Sequence, residues 1–125
     1  MWQVLSDILP ENKDWFYPMY TAEFGHTPGT FAVVVWDHVH IWKAAVESCG
    51  SFTDYDCIDT YVEQLSQHPY KGLAGTYGMY PDKHKSPSGD EWVPIQYLQI
   101  QDQKNVLLYA ASKQIGEFQV PPWIK

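Results

Sequence analysis

Residues 30–48, TFAVVVWDHVHIWKAAVES, followed by Cys49 and Gly50, form the strongest apolar stretch of the chain. Phe31, Val34, Val35, His38, Ile41, Trp42, Ala45 and Cys49 recur at three- and four-residue intervals, which marks one face of a helix. Ala32, Val39 and Val46 add a second apolar face, so this helix is expected to be nearly surrounded. The competing reading is a strand over Phe31 to Trp36, because Val33, Val34 and Val35 are β-branched. The length of the run and the glycine stop at Gly50 favour the helix.

Outward from this helix, the amino-terminal side reads as a second helix from Glu11 to Phe24, closed by Gly25 in a left-handed cap. Phe16, Tyr20 and Phe24 would line one side of it, and Pro18 is expected to kink or shorten it. Residues 1–10 are mixed and expected to be irregular, with Pro10 ending any helix begun there. On the carboxyl side, Thr53 or Asp54 can cap a third helix that reaches about Gln67 and stops at His68-Pro69. Its buried stripe would be Ile58, Tyr61, Val62 and Leu65.

Leu73 to Tyr80 reads as a strand made weak or bulged by Gly72, Gly75 and Gly78, and Pro81 to Asp90 as an exposed loop. Residues 94–101 and 106–109 pair as a hairpin around Asp102-Gln103-Lys104-Asn105. The tail 116–125 is extended, since Pro121 and Pro122 permit little else. The expected fold is therefore α+β, one domain over residues 1–125: about three helices across 11–67, then a small antiparallel sheet across 73–109 with a C-terminal hairpin.

The 125 residues suffice for one domain, and 20 of them are aromatic (6 Trp, 9 Tyr, 5 Phe), a composition suited to packing and stacking. Eight basic against fifteen acidic residues give a net charge of −7, with no basic cluster that would release counterions from a nucleic acid or hold anionic lipid. No run of apolar residues is long enough to span a bilayer. The amino end lacks a signal-peptide pattern, so the chain as given reads as cytoplasmic, or periplasmic if it belongs to a longer exported precursor. Cys49 and Cys57 fit neither a CxxC motif nor a zinc set; two small reduced thiols are preferred over a disulfide across the turn.

Asp37-His38-Val39-His40 is the one cluster that invites metal or acid–base chemistry. On a helix, His38 and His40 point roughly 200° apart and cannot share an ion. His38 reads as a core or interface histidine and His40 as a solvated one. There is no nucleophile elbow and no phosphate loop. Gly72-Leu73-Ala74-Gly75 precedes a strand and not a helix, so it reads as a bend and not an anion cradle. No catalytic residue, metal ligand or cofactor is expected, and the chain reads as non-enzymatic.

The order of the pieces carries a resemblance. Tyr20-x-x-x-Phe24-Gly25-x-x-Pro28 precedes Phe31-Ala32 and Trp36-Asp37, and the long helix ends Lys43-Ala44-Ala45-Val46-Glu47-Ser48-Cys49-Gly50-Ser51. Asp54-Tyr55-Asp56, Tyr70-Lys71-Gly72-Leu73-Ala74-Gly75-Thr76-Tyr77 and Gln96-Tyr97-Leu98-Gln99-Ile100-Gln101-Asp102 follow, and Pro121-Pro122-Trp123 closes the chain. From about residue 11 onward this order resembles the C-terminal third of ABC-transporter periplasmic substrate-binding proteins, of the branched-chain amino acid and urea/amide type, with the type I periplasmic binding fold. Trp36 stands where that family usually has Tyr, Met79-Tyr80-Pro81 replaces its usual Phe-Asp pair, and Cys49 and Cys57 replace small residues.

The resemblance implies a truncated or relic solute-binding protein for amino acids, urea or short amides, with Phe31, Trp36 and Asp37 as the ligand-binding candidates. The alternative is a self-assembling protein-interaction domain. Apolar surfaces that pack on the rest of a family member need a partner here, which makes a homo-oligomer, most simply a two-fold dimer, the expected state.

Overall fold

The computed structural model describes residues 2–5, 8–110 and 112–124. Its first helix, α1 (Pro10–Phe24), begins at Pro10, the residue expected to end a helix. Leu9 is extended and Pro10 takes the first helical position, where a missing N–H costs nothing and a fixed φ is already helical. Pro18 sits inside α1 without ending it. The helix runs on to Gly25, whose φ of 74° and hydrogen bond to the Thr21 carbonyl form the expected left-handed cap.

Helix α2 (Thr30–Cys49) takes up the long apolar stretch and stops at Gly50, again left-handed with φ 67°. Its burial corrects the expectation of a nearly surrounded helix. Only Val33, Asp37, Ile41 and Ala45 are buried, a strip with strict four-residue spacing. Phe31, Val35, Val39 and Trp42 are exposed. The other elements cover one side of α2 and leave the opposite side bare.

Helix α3 (Tyr55–Glu63) is capped by Asp54, whose carboxylate accepts the Cys57 N–H at 3.2 Å. A 3-10 turn over Leu65–Gln67 finishes the expected stripe, with Ile58 and Leu65 buried. The hinge between α2 and α3 also overturns the preference for free thiols. The left-handed turn at Gly50 and the cap at Asp54 bring the Cys49 and Cys57 Cα atoms to 6.0 Å, and the two are joined as a disulfide.

The span expected as one strand over 73–80 is instead a small hairpin. Strands β2 (Tyr70–Lys71) and β3 (Thr76–Tyr77) pair antiparallel, and residues 72–75 turn between them. The glycine-rich segment is the turn itself, because its amides are taken by a side chain of α2 and not by a sheet neighbour. Strands β4 (Gln96–Gln101) and β5 (Lys104–Ala110) form the expected C-terminal hairpin. Its loop is only Asp102-Gln103, both in the left-handed region (φ 48° and 62°), as a type I′ connection requires.

Two further strands complete an antiparallel sheet of order β1-β4-β5-β6: β6 (Lys113–Gln114) and β1 (Trp2–Leu5). The latter corrects the expected irregular amino end, since Trp2 to Leu5 pair in register with Gln99 to Gln96. The α+β class stands, with three helices and two small antiparallel sheets among the described residues. No described helix is long and apolar enough to cross a membrane.

The main core lies between the helices and the β2–β3 hairpin: Ile8, Phe16, Val33, Ile41, Leu65, Leu73, Ala74 and Tyr77. Leu98, Leu108 and Ala110 of the larger sheet are buried outside that cluster. The two parts are tied by Thr76 N–H to Trp92 O (3.0 Å) and the Gln96 side chain to Ile8 O (3.1 Å).

Candidate functional site

Asp37 organises the region that the sequence singles out. Its side chain is fully buried in the middle of α2, an environment that a carboxylate tolerates only when its lone pairs are met. Oδ1 accepts the Leu73 N–H at 2.6 Å, and Oδ2 accepts the Ala74 N–H at 3.0 Å and the Tyr77 hydroxyl at 2.9 Å. Consecutive amides of the 72–75 turn thus converge on one anion, with the carboxylate supplied from within the chain.

Gly72 makes the approach possible. A Cβ there would stand 2.5 Å from the Asp37 Cγ, which no side chain permits. Burial, then the Asp37 charge, push the Tyr77 hydroxyl far above its ordinary range, so it stays protonated and donates. Tyr70 is raised by the same two causes, more weakly.

Beside this cluster lies a cleft of about 290 Å³, lined by Asn12, Trp15, Trp36, Asp37, His40, Tyr70, Lys71, Gly72 and Leu73. Asn12 fixes its floor, its amide donating to Leu73 O at 3.0 Å and Gly72 O at 3.3 Å. Trp36 forms the wall from α2. Its ring packs edge-on against Phe16 (5.3 Å between centroids) and Trp15 (6.5 Å), and stacks on His40 at 4.5 Å. The His40 Nδ1–H donates to the Trp36 carbonyl at 2.8 Å, which fixes that ring in turn.

Trp36 and Asp37 therefore come together at one cleft, and Phe31 does not. It lies a turn and a half earlier on α2, 85% exposed and turned away from the cleft. The two histidines exchange their expected roles. His40 is half-buried against Trp36, while His38 is exposed, with its ring edge against Tyr77 at 5.8 Å. They point to different sides of the helix, and no group of three or more metal-type ligands is placed to hold an ion among the described residues.

Sequence reading missed Asn12, Trp15, Tyr70 and Lys71 as cleft residues. Asn12 meets the turn across 60 positions of chain, and nothing in a helix-forming sequence announces such a contact. The glycine-rich turn was a usable signal: two glycines flanking two small apolar residues mark amides free to face an anion, and the buried partner was the acid on α2.

A second groove, of about 640 Å³, opens between α1 and α2 and is lined mainly by apolar side chains, among them Met19, Phe24, Val35 and Val39. Comparison with known protein families, with curated proteins and with solved structures returned no match.

Proposed function

We propose that the chain is a non-enzymatic recognition element of a solute-binding protein, taking amino acids, urea or short amides, as the resemblance implies. The observation that carries this reading is the cleft at Trp36 and Asp37. It joins aromatic walls to a few polar groups, the mixture small-molecule sites favour. Lys71 offers a cation for a carboxylate, Asn12 and the turn offer amide-type partners, and Trp15 and Trp36 offer apolar surface. Asp37 does not touch the solute in this reading. It holds the Gly72–Ala74 backbone in place and is a positioning residue.

The cleft is open on one side, so affinity is weak. Isothermal titration with leucine, urea and acetamide should give millimolar dissociation constants at best, with quenching of tryptophan fluorescence. Lys71→Gln, a change at an exposed side chain, should weaken leucine binding several-fold and leave urea unchanged. Absence of any signal with all three probes overturns the reading, and so does submicromolar affinity, which a cleft open on one side cannot supply.

The disulfide supports an oxidising compartment, where such bonds persist, and with it the periplasmic alternative over the cytoplasmic one. A second reading, a self-assembling interaction domain, is favoured by the bare side of α2.

A further inference from the structure

The cleft at Trp36 and the groove between α1 and α2 adjoin. Trp36 and His40 line both, so their stacked rings mark the junction. On α1 the order runs straight through: Asn12 and Trp15 line the cleft, then Met19, Tyr20, Glu23 and Phe24 line the groove. Three- and four-residue spacing keeps them on one side of the helix, over about 18 Å from Asn12 to Phe24. Phe16, fully buried, lies at the base of the groove. The rings of Tyr20 and Phe24 follow it, 5.8 Å and then 4.5 Å between successive centroids. Val35 and Val39 supply the wall from α2.

Polarity divides this line. The cleft, of about 290 Å³, holds Lys71, which forms no ion pair among the described residues, and beside it Tyr70 brings a hydroxyl. The groove, of about 640 Å³, carries one charged side chain, Glu23, which is exposed and lies toward its far end. Asp37 is the one other carboxylate that lines either cavity, and three donors already meet it. A cation therefore stands at one end and an anion at the other, with aromatic and aliphatic walls between. A small solute fills the cleft and leaves Phe24, Val35 and Val39 in water. A wholly apolar ligand fills the groove and leaves Lys71 without a counter-charge.

We infer that the joined site takes an amphiphilic carboxylate, its head at Lys71 and an unbranched apolar tail along the α1–α2 groove. This deepens the solute reading above and rests on the same cleft. The order of charges sets the direction, since Lys71 attracts a carboxylate and Glu23 repels one. The two volumes together suit a ligand of that kind, small-molecule sites running to about 1,000 Å³.

Isothermal titration of the native chain with octanoate, decanoate and dodecanoate, each below its micelle concentration, tests the tail. Each step of two methylenes should tighten binding about tenfold. Dodecanol and dodecylammonium should bind more weakly than dodecanoate. Lys71→Gln should weaken dodecanoate about fivefold and erase its advantage over dodecanol. Val39→Glu, at an exposed position, should flatten the series while the circular dichroism spectrum stays native. Leucine binding with a flat series overturns the amphiphile and leaves the small-solute reading standing. A steep series that Lys71→Gln lowers, with no signal from leucine, urea or acetamide, does the reverse. Tighter binding of dodecylammonium than of dodecanoate puts the head at Glu23 and overturns the assignment, as does a steep series that Val39→Glu leaves intact. A dimer mass in light scattering that dodecanoate does not disperse means that a second copy fills the groove, and overturns it too.

Discussion

In the helical part, a buried carboxylate gathers two backbone amides and a phenol around one point, and eight buried apolar residues close over it. In the larger sheet, buried polarity is carried by two neutral glutamines spread along a strand. Gln96 reaches the Ile8 carbonyl. Gln99 pairs with the backbone of Gln119 through both its amide and its oxygen, at 2.7 and 3.0 Å, and Gln101 donates to Glu117 O at 2.8 Å. The two regions fail differently as a result. A charge-centred knot loses everything when its centre is removed, because several donors are stranded together. A strand of separate amide contacts loses one strap at a time.

Asp37→Ala tests the knot and should have the largest effect. It strands the Leu73 and Ala74 amides and the Tyr77 hydroxyl in a dry site, at a cost of about 3–5 kcal/mol, a large share of a small domain's stability. Urea unfolding should show the unfolding free energy fall by that amount, with the midpoint shifted to lower urea and helical signal lost first. A change under about 1 kcal/mol would mean that water reaches the turn and the region is no more centralised than the sheet. Alkaline titration reads the same knot. The folded Tyr77 hydroxyl titrates above its ordinary value of 10.0, so the folded state holds a proton that the unfolded chain releases. Stability is therefore complete below about pH 10 and declines as pH rises beyond it toward the folded value. Tyr77→Phe should flatten that decline, and an unchanged slope would assign it elsewhere.

The disulfide ties the far end of the helical part, where the larger sheet has no covalent link among the described residues. Cys49 and Cys57 are separated by 8 positions, and releasing so short a loop costs about 2.5 kcal/mol on the chain-entropy account. Dithiothreitol should lower the helical transition by that much and leave the β4–β5 amides as protected from exchange as before. Thiol titration of denatured, unreduced protein should find none free. Two free thiols would return the chain to the reduced state that its sequence first suggested.

What could be read in advance follows the same division. Helix limits were legible because Gly25, Gly50 and Asp54 act locally, each deciding its own cap. The β4–β5 hairpin was legible from alternation. The buried side of α2 was not, because an apolar stripe says that a face prefers cover and not that cover exists. Phe31 and Val35 have the right chemistry and stay exposed. Strand β1 was unreadable for another reason: Trp2 to Leu5 become a strand only because β4, more than ninety residues later, offers them an edge. At the cleft, Trp36 and Asp37 stood in one motif, but the partners of Asp37 are fixed by a turn 36 positions away. A cysteine pair spaced by eight says little until the intervening turn is known.

The smallest effect belongs to the sheet, and its sign is reversed. Asp102 and Gln103 both sit at positive φ, a conformation that costs an ordinary side chain about 1–2 kcal/mol and glycine almost nothing. Gln103→Gly relieves that strain but also gives the unfolded chain more freedom to lose, so the two terms partly cancel. A net gain of about 0.5–1 kcal/mol is expected, read as slower amide exchange across the Gln101–Lys104 pairing and a small rise in the sheet's melting temperature. The gain should stay local. If it raised the helical transition equally, the two regions would be unfolding as one unit, and the contrast between a knotted half and a strapped half would describe contacts but not stability.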